Sequence, residues 1–346
     1  MRTLACALAA FLALAHGAAA ERMVTDSAGR QVAVPDRIER VFAAGPPASI
    51  LLYILAPDRM IGWPRAPHPY EMPYIAPKYR DLPEVGWLTG RGDTVNLEVL
   101  LQSKPDLIFD FGSVRDTYVS LAERVQAQTG IPYLLIDGTF ANTAAAVRLL
   151  GTVLGVEARA ERIAAYVEAT FAQIDRALAE VPEDRRPRVY LARGPSGLET
   201  GLLGSINTEI IERVGAINVA VDPSGARRGL VQVPIEQVVV WNPDTVITWD
   251  RNFYESVWTD FYWQGVDAVA KERVYLSPTA PFGWIDRPPS LNRMIGLQWL
   301  AGLFYPDHLD QDLREVTRSF YDLFYHVDLT DAELDRLLQS AQGRAP

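Results

Sequence analysis

Cysteine is almost absent from this chain: Cys6 is the only one in 346 residues, and it lies among the apolar first twenty. Disulfide scaffolds and thiol nucleophiles are therefore excluded from the rest of the chain. Histidine is scarce as well, limited to His16, His68, His308 and His326. A bare zinc or manganese site built on imidazole and thiolate is not expected. Positive charge is in short supply, 33 Lys and Arg against 43 Asp and Glu for a net charge of −10. Neutralising phosphates needs a basic surplus, so nucleic acid is set aside as a partner. Beyond the first twenty residues no apolar run reaches the roughly 18 positions that a membrane-spanning helix requires. What remains is an ordinary globular balance, 49% hydrophobic and 22% charged. The length suits two lobes better than one.

The first twenty residues, "MRTLACALAAFLALAHGAAA", combine one Arg, an apolar stretch and Ala18-Ala19-Ala20 in front of Glu21. That is the layout of a cleavable secretory signal, so residues 1–20 are excluded from the fold and export to the periplasm is expected. Cys6 precedes most of the apolar stretch, which argues against a lipid anchor there. Residues 21–156 are expected to form an N-terminal lobe, 157–181 a connecting helix, and 182–346 a C-terminal lobe.

Alternation of strand and helix runs through both halves. "MVTDSAGRQVAVP" predicts a hairpin around Ala28-Gly29. "RVFAAG", "RMIGW", "PDLIFD" and "IPYLLID" predict strands. "PPASILLYILAP", "NLEVLLQSK" and "SVRDTYVSLAERVQAQTG" predict helices, the first opening on prolines whose missing N–H had no partner in a first turn. Ile163, Val167, Phe171, Ile174, Leu178 and Val181 then recur at steps of three and four along 157–181, one apolar stripe down an unusually long helix. After it come "RVYLAR", a helix in "SINTEIIERVG", another in "IEQVVVWN", the strand "PDTVITW", a helix over about 255–270, and the strand "RVYLS". Such alternation predicts parallel βαβ units covered on both faces. The stretch from 307 to 342 predicts two amphipathic helices packing on the second lobe, with Thr330 or Asp328 as cap.

One phrase occurs twice, "VNLEVLLQSKPDLIF" at 95–109 and "VPIEQVVVWNPDTVI" at 233–247. In each, a glutamate in the first turn of a helix is followed by Pro-Asp, which ends the helix and feeds a strand. A first-turn carboxylate gains about 0.3–1 kcal/mol from the helix dipole, which alone would account for Glu98 and Glu236. In their order, the apolar leader, "RVFAAGPPASILLYILAPDRMIGW", "LPEVG", the first phrase, the long helix, the second phrase and "RVYLSP" resemble the substrate-binding proteins of ABC importers for siderophores, haem and cobalamin. The resemblance spans about residues 23–305. It implies an α/β fold of class III periplasmic binding proteins: two Rossmann-like lobes joined by one long rigid helix, a ligand in the cleft between them, and little closure. It also implies that Glu98 and Glu236, one per lobe, dock onto arginines of a permease dimer. A monomer with no resident cofactor is expected.

Open α/β lobes bind ligands at the carboxyl ends of their strands. The loops there hold Pro46, Pro47, Ser49, Trp63, Arg65, Phe111, Arg193, Trp249, Arg251, Trp284 and Arg287. Arg beside Trp suits an anionic ligand with organic surface, because guanidinium pairs with carboxylate or catecholate while the ring covers apolar area. An iron chelate is the expected ligand. The segment "PFGWIDRPPSLNRMIGLQWLAGLFYP" resembles instead the molybdate and tungstate binders of the same superfamily. The alternative is thus an oxyanion held by N–H groups near Pro47 to Ser49 and around Ser290, with Arg287 beside it. Against a secreted hydrolase stand the lack of G-x-S-x-G, H-E-x-x-H and P-loop motifs, and the presence of only His68 in the cleft-side loops.

Overall fold

The computed structural model describes residues 20–89, 97–225, 229–309, 311–339 and 341. The expected signal segment, apart from Ala20, lies outside them.

A hairpin of β1 (Glu21–Thr25) and β2 (Gln31–Pro35) comes first, paired from Glu21 opposite Pro35 to Thr25 opposite Gln31. It closes where expected, with Gly29 at φ +79° supplying a left-handed turn that a side chain would resist. Next come β3 (Val41–Ala43), α1 (Pro46–Leu55), α2 (Leu97–Ser103), β4 (Leu107–Gly112), α3 (Asp116–Thr129), β5 (Tyr133–Asp137) and α4 (Thr143–Leu154). Strands β3, β4 and β5 form one parallel sheet in that order. Their residues are buried almost without interruption, as strands covered on both faces must be.

The long helix is α5 (Glu157–Ala179), about 35 Å at 1.5 Å per residue. Its buried positions, among them Ala160, Ile163, Ala164, Val167 and Ile174, fall on one stripe. It lies so close to α4 that a Cβ on Gly151 would sit 2.2 Å from that of Ala160.

Beyond it lie β6 (Arg188–Ala192), β7 (Glu199–Gly201), α6 (Glu209–Arg213), β8 (Ile217–Asn218), β9 (Leu230–Gln232), α7 (Ile235–Trp241), β10 (Thr245–Thr248), α8 (Arg251–Ser256), α9 (Asp267–Ala270), β11 (Val274–Leu276), α10 (Arg293–Phe304), α11 (Leu313–Tyr325) and α12 (Asp331–Leu338). The second parallel sheet has the order β11-β10-β6-β8. The fold is therefore two Rossmann-like α/β lobes joined by α5.

Three expectations are corrected. "RMIGW" is not a strand but touches its neighbours at single bridges, Met60 to Val41 and Trp63 to Glu84, with Gly62 wedged against the Pro83 carbonyl and Pro64 ending the run. The helix expected over 255–270 is two short helices, α8 and α9. Between them Asp260 turns the chain by accepting the Tyr262 N–H at 2.9 Å. The C-terminal helices do not pack on the second lobe alone. Tyr53 of α1 donates to the Tyr325 carbonyl at 2.5 Å, Tyr74 donates to that of Glu333 at 3.1 Å, and Arg159 of α5 donates to that of Leu323. Phe320 and Phe324 meet Tyr166 of α5. One continuous apolar core accordingly runs from β1 through α1 and α5 into α10, α11 and α12. Thr330 caps α12 in a reciprocal box with Glu333, as its sequence predicts.

Candidate ligand cleft

The carboxyl ends of both sheets face one cleft. On the first lobe, β3 leads through Gly45 into α1, whose first two positions are Pro46 and Pro47. Ser49 commits its N–H to the Gly45 carbonyl at 3.0 Å and its hydroxyl to that of Pro46 at 2.8 Å. Prolines carry no N–H, so of residues 46–49 only Ala48 has a backbone donor not tied to α1's own carbonyls. The other expected cradle is similarly poor, since Pro288 and Pro289 lack N–H groups and the Ser290 hydroxyl donates to the Pro47 carbonyl at 2.8 Å. Prolines thus remove four backbone donors, at 46, 47, 288 and 289, from the two expected cradles.

Guanidinium groups line the cleft as well. A cavity of about 380 Å³ is lined by Pro46, Ser49, Trp63, Arg65, Arg193 and Arg287, together with Tyr70, Trp87, Asn207 and Asp286. Arg193 follows β6 and is nine-tenths buried. Its Nε lies 3.2 Å from Asp286 and its Nη1 3.4 Å from Glu199, yet neither is aligned to form a hydrogen bond. Asp286 is held by the Trp249 indole N–H at 2.8 Å and by the Asn207 amide at 3.3 Å. Burial pushes the Asp286 carboxyl up, against the opposing pull of Arg193. Arg287 is exposed and lies over the Trp249 ring at 4.6 Å, a cation–π contact that fixes it at the cleft mouth. Arg65 is committed elsewhere, making paired bonds of 2.6 and 2.8 Å to Glu71.

Trp249 and Arg251 line an adjoining cavity that shares Tyr70, Thr279 and Arg287 with the first. Two expected ligand contacts are corrected. Trp284 is fully buried and donates to the Tyr321 hydroxyl at 3.2 Å, and Phe111 is buried in the first lobe's core. Both sit beside strand ends, but the core claims their apolar surface. Asp286, Asn207, Tyr70 and Trp87 are cleft residues that sequence reasoning misses. Only Asp286 has a local signal, its place between Trp284 and Arg287. His68 stacks on Tyr70 at 5.6 Å and gives its backbone N–H to Glu71. Among the described residues no group of His, Cys, Asp and Glu is arranged to hold a metal ion.

Asp110, at the end of β4, is buried, accepting from the Thr89 hydroxyl at 3.1 Å and the Phe111 N–H at 2.9 Å. Burial outweighs both bonds and raises its carboxyl from 3.8 to about 6. A folded-state value above the unfolded one favours the native state fully below pH 3.8, an advantage lost as pH rises through 6. Relative to wild type, Asp110→Asn should therefore gain roughly 2–3 kcal/mol of stability between pH 4 and pH 7. Urea denaturation at both pH values reads this directly, and a pH-independent difference would refute it.

Glu98 and Glu236 are exposed in the first turns of α2 and α7. Each helix feeds the start of a parallel strand, β4 or β10, so it runs opposite to that strand. Both glutamates are thus placed on the edge where the strands end and the cleft opens.

Comparison with known proteins places this architecture. Residues 71–281 match the periplasmic binding protein family. The chain is 28% identical to the molybdate-binding protein MolA of Haemophilus influenzae, across 94% of this chain and 95% of that one. An ABC transporter solute-binding protein from Sulfurospirillum deleyianum superposes with a TM-score of 0.80 at 26% identity, covering 92% of this chain and 99% of the other. Helicobacter pylori CeuE, in a nickel–histidine complex, shares the fold at TM-score 0.67 and 18% identity, over 92% and 99% of the two chains. These relatives bind solutes and are not enzymes. The chain belongs to the periplasmic binding protein family, as the substrate-binding component of an ABC transporter working in the periplasm.

Proposed function

We propose that this protein captures a small oxyanion of the molybdate type and hands it to its permease. The observation that carries the reading is Arg193, a nine-tenths buried guanidinium on the cleft wall whose Nε and Nη1 lie 3.2 and 3.4 Å from Asp286 and Glu199 without an aligned hydrogen bond to either. A guanidinium carries five N–H donors, more than these two carboxylates use, which suits it to an added acceptor. Arg287 adds a second positive charge at the mouth. The whole-length similarity to MolA, a molybdate-binding protein, points the same way. This reverses the order of the two ligands expected from sequence. An iron chelate remains the second reading, favoured by one feature: the cleft continues into a larger cavity of about 790 Å³ walled partly by Trp249 and Tyr70.

Calorimetric titration with molybdate, tungstate, sulfate and a ferric catecholate separates the two. Molybdate or tungstate should bind, and Arg193→Ala should weaken them about 10- to 150-fold, the worth of a charge-assisted hydrogen bond of 1.5–3 kcal/mol. Equal affinity in wild type and variant would remove Arg193 from the site. Tight binding of the ferric catecholate with no response to molybdate would replace this reading with the second. For delivery, the exposed Glu98 and Glu236 are the proposed contacts to the permease, one on each lobe.

A further inference from the structure

One wall of the cleft is a loop, and what shapes that loop lies on its far side. Residues 277–292 join β11 to α10 and give the cleft Pro281, Phe282, Asp286 and Arg287. Behind them Tyr321 of α11, fully buried, accepts the Trp284 indole N–H at 3.2 Å and donates its own hydroxyl hydrogen to the Ala280 carbonyl. A single hydroxyl thus ties together the two points that flank Pro281 and Phe282. From α10 the Asn292 amide donates to the Pro288 carbonyl at 2.9 Å and also to that of Gly283. The Trp284 carbonyl is pressed against the same helix, so closely that a Cβ on Gly296 would sit 1.9 Å from it. Inside the loop, the N–H groups of Gly283 and Trp284 donate to the Arg287 and Pro278 carbonyls at 2.9 and 3.1 Å. None of the described residues of α11 lines the cleft cavity itself. Tyr325, one turn further along α11, is as deeply buried as Tyr321, yet its hydroxyl has no hydrogen-bond partner among the described residues.

We infer that Tyr321 is a positioning residue for ligand binding: from outside the cleft it fixes the loop that sets Asp286 against Arg193 and carries Arg287 to the cleft mouth. Binding groups on a loop hold their geometry only when rigid elements support them, and a shift of about 1 Å is enough to weaken a site. Helices α10 and α11 are those elements here. Without the Tyr321 hydroxyl, a buried donor on Trp284 and a buried acceptor on Ala280 both lose a partner, and the loop gains by rearranging to find others. The consequence reaches Arg193 through Asp286, which follows Trp284 by two residues and lies 3.2 Å from the guanidinium. The inference rests on the cleft being the ligand site and holds for an oxyanion and a chelate alike.

Comparing Tyr321→Phe with Tyr325→Phe tests it, since the two substitutions remove the same atom from the same helix. Without ligand, hydrogen exchange at the Gly283 and Trp284 amides should be about tenfold faster in Tyr321→Phe and unchanged in Tyr325→Phe, with the amides of β6 and β10 as internal reference. Molybdate affinity should fall about tenfold in Tyr321→Phe, through faster dissociation, and keep its wild-type value in Tyr325→Phe. Because Tyr321 acts through Asp286 and Arg193, Tyr321→Phe combined with Arg193→Ala should cost less than the product of the two separate losses. Losses that multiply would instead make the hydroxyl a prop of the core, and overturn the proposal. Wild-type exchange at Gly283 and Trp284 in Tyr321→Phe overturns it too, as does a fall in affinity that is equal in the two tyrosine variants. Should the wild-type protein bind a ferric catecholate and no molybdate, the oxyanion reading alone fails, and the same comparison on the catecholate decides for or against Tyr321.

Discussion

Arg293→Ala is expected to destabilise the protein by about 3–5 kcal/mol, the usual cost of breaking a buried ion pair from one side. Arg293 opens α10 and is almost wholly buried. Its Nη2 donates to the Gly138 carbonyl at 2.8 Å, its Nη1 to that of Ile206 at 3.0 Å, and its Nε to that of Ser290 at 3.3 Å. Glu209 lies 3.2 Å from Nη1 and also accepts the Phe140 N–H at 3.1 Å. Gly138 and Phe140 follow β5 of the first lobe, whereas Ile206 and Glu209 belong to the second. One guanidinium therefore bridges the floor of the cleft, stacked 4.0 Å over the Phe140 ring. Removing it leaves Glu209 without its counter-charge and takes a donor from the Gly138 and Ile206 carbonyls, while the Ser290 carbonyl keeps the backbone N–H of residue 293 at 3.1 Å. A calorimetric scan should show melting lower by roughly 10 °C, given the usual 2–4 °C per kcal/mol in chains of this general size. Arg293→Lys should recover part of the loss, since an ammonium keeps the charge but cannot span three carbonyls. An unchanged melting temperature in the alanine variant would mean that the bridge contributes nothing to holding the lobes.

Transport by cells carrying Glu98→Ala together with Glu236→Ala should fall by more than tenfold, with ligand affinity and melting temperature intact. Truncating one partner of an interfacial charge pair costs about 2–5 kcal/mol, and here two would be lost together. Each single variant should fall between wild type and the double, because the two glutamates sit on separate lobes. Both side chains are exposed, so their loss costs folding little more than the about 0.3–1 kcal/mol that a first-turn carboxylate gains from its helix dipole. Uptake equal to wild type in the double variant would reduce both glutamates to helix-dipole partners.

The alternation of strand and helix, the length of α5 and the doubled Glu–Pro-Asp phrase are all legible from residue order, because each rests on local periodicity or on proline's fixed geometry. Helix α4 is not, since "TAAAVRLLGTVL" presents small residues that pack closely on α5 and no strong polar face. The cleft is partly legible. Arg193, Trp63 and Arg287 are expected there because strand ends are where such folds bind. Trp284 and Phe111 are expected on the same ground and prove to be core. Successive residues at a strand end face opposite ways, so loop position alone cannot separate a cleft wall from a core wall. Asp286 and Arg293 give little sign of their roles because their partners, Asn207, Glu209 and Gly138, are about 80 to 155 positions away in the chain. The expected donors near Pro47 and Ser290 are fewer for a local reason that the sequence does contain: four of the residues concerned are prolines.

The shared core has a consequence for how the chain reaches its native state. Tyr53 in α1 and Tyr74 close to it bond to carbonyls of residues 325 and 333, more than 250 positions later. The first lobe thus lacks part of its wall until the last two helices dock. Folding of that lobe is tied to contacts of very large sequence separation, which slows it. A fragment ending after α10 should leave α1 with an uncovered apolar face. Proteolysis between α10 and α11 should then open both lobes in a single transition.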